Sequence, residues 1–169
     1  TDISLLGLYV DENKLDMIGS NSAQSGNALT VTKYLSLDGI LDLNGESQLI
    51  QTEGSILEEN SVGYLERDQQ GTENSYNYNY WTSPVSTTGG SINSGFSLSS
   101  VLWDGTNPDE PAGINYNYQF HWADSDYSGE LRLSTYWLHS FQGTADDYFQ
   151  WSQFSEDDVL KPGIGFSMK

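Results

Sequence analysis

Between Leu29 and Leu65 the chain never runs far without a break. Apolar residues come in pairs two positions apart, Leu29/Val31, Leu35/Leu37 and Leu41/Leu43, and the pairs recur every six residues. Leu41, Leu49, Leu57 and Leu65 then continue at a spacing of eight. Turn formers sit among them at Asp38-Gly39, Asn44-Gly45, Glu53-Gly54 and Asn60-Ser61. Alternate residues of an extended strand share a face, so each pair reads as one short strand with a single side turned inward. Brief strands broken this often can coil into a β-solenoid around a column of Leu, Ile and Val. The other arrangement open to them is a meander of small hairpins on one face of a sandwich. The pattern favours the coil. Three or four coils cannot cap themselves, and the second half of the chain is the expected cap.

The whole sequence points to an all-β fold. Its 23 Ser, 17 Gly and 12 Asn are spread throughout, and no stretch of 11–18 residues holds a 3.6-residue apolar period. Composition changes near residue 75: residues 1–75 hold only Tyr9, Tyr34 and Tyr64 of the 22 aromatics. We therefore expect a Leu/Ile-rich, solenoid-like region over 1–75 and an aromatic-rich β-sandwich region over 76–169, the two together able to form one domain. In the second region Tyr76, Tyr78 and Tyr80 alternate with Asn, as do Tyr116, Tyr118 and Phe120 with Asn and Gln. Leu131, Leu133 and Thr135 do the same before Tyr136-Trp137-Leu138. Period-two aromatics suit a pleated, half-buried surface and suggest longer strands. Turns are expected at Thr88 to Gly90, Asp104 to Gly113 and Gln142 to Thr144. One helical turn is expected at Ala145 to Phe149, with Asp146 as its cap.

Charge narrows the partners. Six basic residues against 24 acidic ones give a net charge of −18. That argues against nucleic acid, which needs a Lys/Arg face to displace counterions, and against an anionic membrane surface. With no cysteine there is no disulfide scaffold, Cys-ligated zinc or thiol nucleophile. No apolar run approaches the 18 residues of a membrane span, so no membrane insertion is expected. Aromatic residues at 13% supply ample core material, which argues against disorder. Thr1 in place of Met, and Gly165-Phe166-Ser167-Met168-Lys169 ending like mid-strand, suggest a processed chain or a fragment truncated at its C-terminus.

Several segments resemble a recurrent β-rich module of large surface and secreted proteins exported by type IX secretion systems. They are Leu41 to Thr52, Gly63 to Gly71, Tyr78 to Val85, Asp104 to Pro108, Thr135 to Leu138 and Leu160 to Lys169. They follow the family's order and cover roughly residues 29–169, and residues 1–28 show no match. The resemblance implies an extracellular or outer-surface location and a non-enzymatic part of a larger protein. It carries over no catalytic residues.

Asp124-Ser125-Asp126-Tyr127-Ser128-Gly129-Glu130-Leu131 opens like a calcium loop, with oxygens at positions 1, 3 and 5, Gly at 6 and an apolar residue at 8. Asp124, Asp126, Ser128 and Glu130 are thus the metal candidates, with calcium the ion. Thr135 stands where the bidentate Glu belongs, so the competing reading is an acidic hairpin turn. Asp104 to Pro111 gathers oxygens too, but suits an Asx-type turn. Asp146-Asp147 and Glu156-Asp157-Asp158 read as solvated surface. No Gly-x-Ser-x-Gly accompanies His121 and His139, and no phosphate loop follows Gly89-Gly90; 24 acids offer many carboxylate pairs for glycoside hydrolysis, but nothing fixes their separation. Of the five tryptophans, Trp81 and Trp137 lie in strand contexts that suggest core. Trp103, beside an acidic loop, and Trp151, between Gln150 and Ser152, are the candidates for stacking on sugar rings. The sequence therefore predicts a non-catalytic extracellular structural or adhesive module, with a carbohydrate-binding module, calcium-dependent or not, as the alternative. Its partners would be an extracellular polysaccharide or a neighbouring surface protein.

Overall fold

The computed structural model of the chain describes residues 1–72, 74, 76–84, 94–107, 110–119, 131–144 and 146–169. The fold is all-β, and the chain divides into two compact units, Thr1–Gln70 and Gly71–Lys169.

The first unit holds β1 (Ile3–Val10), β2 (Lys14–Met17), β3 (Ala28–Leu37), β4 (Ile40–Leu43), β5 (Gln48–Gln51), β6 (Ile56–Leu57) and β7 (Tyr64–Arg67). Every ladder between them is parallel. One sheet runs β1-β3-β5, with β6 also on β3, and the other runs β2-β4-β7. The chain therefore winds as three stacked coils: β1 with β2, β3 with β4, and β5 to β7. Ile3 lies beside Leu29 and Lys14 beside Ile40, an offset of 26 residues. Ala28 lies beside Gln48 and Ile40 beside Tyr64, offsets of 20 and 24.

The paired apolar residues fill this column. Leu29, Val31, Leu35, Leu37, Leu41 and Leu43 of the middle coil are buried with Val10 and Met17, and Leu5, Leu8, Leu49 and Leu65 pack against them. The four expected turns fall between strands. One expectation needs correcting: Leu29/Val31 and Leu35/Leu37 belong to one ten-residue strand. Thr32-Lys33 between them contains no turn former, so the chain bends there through a register shift against β1 between Leu5 and Gly7. The Thr32 hydroxyl donates to the Leu5 carbonyl (3.2 Å), and the Thr52 hydroxyl to the Thr32 carbonyl (3.3 Å), so the bend is tied through all three coils.

At another corner Asn13, with φ of 62°, sits over Gly39, which sits over Gly63. A Cβ on Gly39 would lie 2.5 Å from the Asn13 carbonyl oxygen, and one on Gly63 2.0 Å from that of Gly39. Only glycine lets the coils approach this closely.

The second unit holds β8 (Asn79–Trp81), the one-turn helix α1 (Leu98–Val101), β9 (Trp103–Asp104), β10 (Ala112–Gly113), β11 (Asn115–Asn117), β12 (Arg132–Ser134), β13 (His139–Phe141), β14 (Trp151–Gln153) and β15 (Gly165–Met168). Its largest sheet is antiparallel in the order β14-β13-β15-β8. β9 and β10 form an antiparallel pair, and β11 and β12 a parallel one. These strands have two to four residues, shorter than the aromatic alternation suggests. Phe96, Leu98, Leu133, Leu138, Phe154, Leu160, Phe166 and Met168 form the core.

Among the described residues no helix is long and apolar enough to cross a membrane. The turn expected at Ala145 to Phe149 is a 3-10 turn over Tyr148–Gln150. Its cap is Asp147, not Asp146: the Asp147 carboxylate accepts from the Phe149 amide (3.2 Å). The Glu156 to Asp158 stretch is more engaged than a solvated run. The Ser99 hydroxyl donates to Asp157 (2.6 Å), and the Ser155 amide to Asp158 (2.7 Å).

Candidate functional site

The β14-β13-β15-β8 sheet gathers aromatics on the face away from Phe166. Tyr80, Ser167, His139 and Gln153 lie in one row across the strands, and Gly165, Phe141 and Trp151 form the next row on that face. β15 contributes only Gly165 and Ser167 here, so it brings no ring of its own. The rings of the outer strands β8 and β14 meet instead. Tyr80 and Trp151 are three strand spacings apart, about 14 Å, yet their ring centroids lie 6.0 Å from each other. Trp151 also packs on Phe141 (5.3 Å).

The contact continues in the other direction. Tyr80 meets Tyr78 (6.3 Å), Tyr78 meets Trp137 edge-on (5.7 Å), Trp137 meets Tyr136 (4.7 Å), and Tyr136 meets Tyr118 (5.7 Å). Among the described residues seven rings thus form one band. Tyr80 is 67% exposed and Tyr118 64%. The Lys169 ammonium lies 4.8 Å from the Trp137 ring centre and 5.4 Å from that of Tyr76, within reach of a cation–π attraction.

Beside Tyr80 and Trp151 is a shallow pocket of about 260 Å³, lined by those two residues with Trp81, Thr82, Gly163, Gly165 and Phe166. Its floor is open because Gly165 has no side chain: a Cβ there would meet nothing within 4 Å. The Thr82 hydroxyl donates to the Ile164 carbonyl (2.9 Å), and the Gly163 amide to that of Ser83 (2.8 Å), which fixes the rim.

The residues singled out from sequence fall in different places. Trp151 is half-buried within the aromatic band. Trp103 is 58% exposed and lies on the other antiparallel pair, opposite Gly113, which has no side chain to cover it. Trp81 packs against the core from the pocket wall. Trp137, expected in the core, is half-buried at the end of a 3-10 turn over Thr135–Trp137. The turn rotates the chain so that Leu138 takes the core position and the Tyr136 and Trp137 rings join the surface band. The proposed calcium ligands Asp124, Asp126, Ser128 and Glu130 lie outside the described residues, as do His121 and Trp122.

Asp104 closes an Asx turn. Its carboxylate accepts from the Thr106 hydroxyl (2.6 Å), the Thr106 amide (3.0 Å) and the Leu131 amide (2.9 Å). These bonds, the Thr106 hydroxyl foremost, hold it below the usual carboxylate range. Its oxygens are committed to the fold.

Sequence reasoning missed Tyr80 and Gly165 as partners of Trp151. The available signals were the Tyr78/Tyr80 alternation and a glycine inside an otherwise apolar strand, which marks open space or close approach.

The structure defines a class: three parallel coils in one unit, and in the other an antiparallel sheet that displays aromatic rings. Compared with known proteins, the chain matches no family model, no curated protein and no solved structure.

Proposed function

We propose that the chain is a non-catalytic structural or adhesive module of a larger secreted or cell-surface bacterial protein, of the kind that type IX secretion systems export. The observation that carries this reading is the seven-ring band, several of whose members face solvent. Contiguous exposed aromatic surface marks a place of interaction. The net charge of −18 supports a module that stays soluble by self-repulsion, and the segment resemblances support the extracellular setting. The partner in this reading is an extracellular polysaccharide, with a neighbouring surface protein as the other choice.

The test presents the whole chain to a glycan array and to insoluble polysaccharides, and assays released reducing ends. Retention without release is expected. Release of reducing ends would replace the adhesive reading with a hydrolase, and retention on no glycan assigns the surface to a protein partner. Calcium at Asp124, Asp126, Ser128 and Glu130 belongs to the same proposal on sequence grounds. Its expected signature is a melting midpoint higher in millimolar calcium than in chelator, since a ligand of the native state stabilises it by mass action. Equal midpoints remove the ion.

A further inference from the structure

We propose that the shallow pocket beside the touching Tyr80 and Trp151 rings, with Gly165 in its floor, is a subsite for one uncharged pyranose ring of a polysaccharide chain. The inference rests on the adhesive reading for the ligand's class, but it names a location and a chemistry that the reading does not. Four observations lead to it. Two rings from opposite edges of one sheet meet across β15, which carries no ring on this face, so the pocket beside them has one continuous aromatic wall rather than a flat patch. The floor is empty at Gly165, where even a methyl group would have room. The volume of about 260 Å³ is just under the usual range of about 300–1,000 Å³ for small-molecule pockets, which suits a single sugar unit and not a longer ligand enclosed whole. Among the described residues the lining contains no charged side chain, while the molecule carries −18.

Together these features select the ligand. The C–H face of a pyranose stacks on indole and phenol rings, and its hydroxyls reach the polar rim, here Thr82 and the Tyr80 hydroxyl. A uronic or sialic acid would meet a repulsive field with no cation in the lining to offset it. A cationic amino sugar would be drawn by the overall field but would find no carboxylate among the described lining residues to hold its ammonium. The lining suits an uncharged ring.

The test titrates the whole chain with cellohexaose, maltohexaose, xylohexaose, mannohexaose and chitohexaose, and with hexagalacturonate as the anionic arm, following tryptophan fluorescence and calorimetric heat. At least one uncharged oligosaccharide should bind, and hexagalacturonate should not. Trp151→Ala and Gly165→Val should each weaken binding at least tenfold, the first by removing part of the wall and the second by filling the floor. Tyr64→Ala, on the coil unit, should bind as the parent does. Melting midpoints of all variants establish that they fold, and Gly165→Ser provides a smaller obstruction if the valine does not. If binding survives Trp151→Ala and Gly165→Val but is lost in Trp103→Ala, the subsite is overturned while the adhesive reading stands. If no uncharged oligosaccharide binds the parent at millimolar concentration, the subsite is likewise overturned, and polysaccharide retention then decides the broader reading separately.

Discussion

Lys14 is the residue on which the charge balance of the coils turns. Asp16, Asp42 and Glu66 lie side by side on successive coils, and the Lys14 ammonium bonds Asp42 (3.0 Å) and Glu66 (2.8 Å). Those bonds, to Glu66 first, raise the lysine above its ordinary value. Asp42 is nevertheless raised too, because its burial outweighs the help from Lys14. The two directions agree physically: the cation gains from the pair, while the buried carboxyl still pays for lost water. Lys14→Met should cost about 1–2 kcal/mol, below the usual figure for a broken buried pair because the lysine is partly exposed; urea denaturation measures it. The pH sign follows. A carboxyl raised in the native state takes up its proton more readily there than in the unfolded chain, so stability falls as pH rises from the ordinary aspartate range through the folded value. Lys14→Met should therefore recover more of its midpoint on acidification toward pH 4 than the parent does. Asp104 behaves oppositely, since its depressed carboxyl adds stability above the ordinary range that is lost as pH falls. Asp104→Asn should cost about 1–2 kcal/mol at pH 7 and flatten the acid limb of the midpoint-against-pH curve.

Strands and corners explain what the sequence made readable. The Leu pairs and the Gly/Asn breaks were legible because each depends on a few neighbouring residues. Which strands pair was not. The six-residue recurrence of Leu29, Leu35 and Leu41 lies within one coil, whereas stacking follows offsets of 26 and then 20 to 24. Three coils of unequal length give no fixed period to find. In the second unit the alternation around Tyr78 and Trp137 was visible, but a 3-10 turn after Ser134 put Leu138 in the core and left the Tyr136 and Trp137 rings in the surface band. The convergence of Tyr80 and Trp151 depends on a sheet order that joins residues far apart in the chain, so local pattern could not reveal it. Corner glycines carry a direct test. Gly63→Ala places a methyl group 2.0 Å from the Gly39 carbonyl oxygen and should cost roughly 2 kcal/mol or more, within the range of overpacking. Gly113→Ala, with nothing within 4 Å, should stay within about 0.5 kcal/mol. Comparable losses in the two would refute the close approach of the coils. In the column itself, Leu35→Ala should cost about 2–5 kcal/mol, and Leu57→Ala on the more exposed last coil clearly less.

At the scale of the whole molecule, acid outnumbers base by four to one, and several of the six cations are already engaged. Lys14 serves its carboxylates, Arg67 donates to the Ser47 carbonyl (2.5 Å), and Lys169 lies over Trp137 and Tyr76. Screening of the surplus repulsion should raise the melting midpoint between 10 and 150 mM salt, as the Debye length falls from about 30 to 8 Å; a falling midpoint would mean that attractive pairs dominate. The parallel stacking has a mechanical consequence as well. Backbone bonds between coils run along the axis of the column, so a pull on Thr1 strains one ladder at a time. The first coil should come away before the second is loaded. Freeing 26 residues lengthens the chain by roughly 85–95 Å at about 3.3–3.6 Å per residue, so stretching between tethers at Thr1 and Gln70 should give a staircase of small yields instead of one long rip.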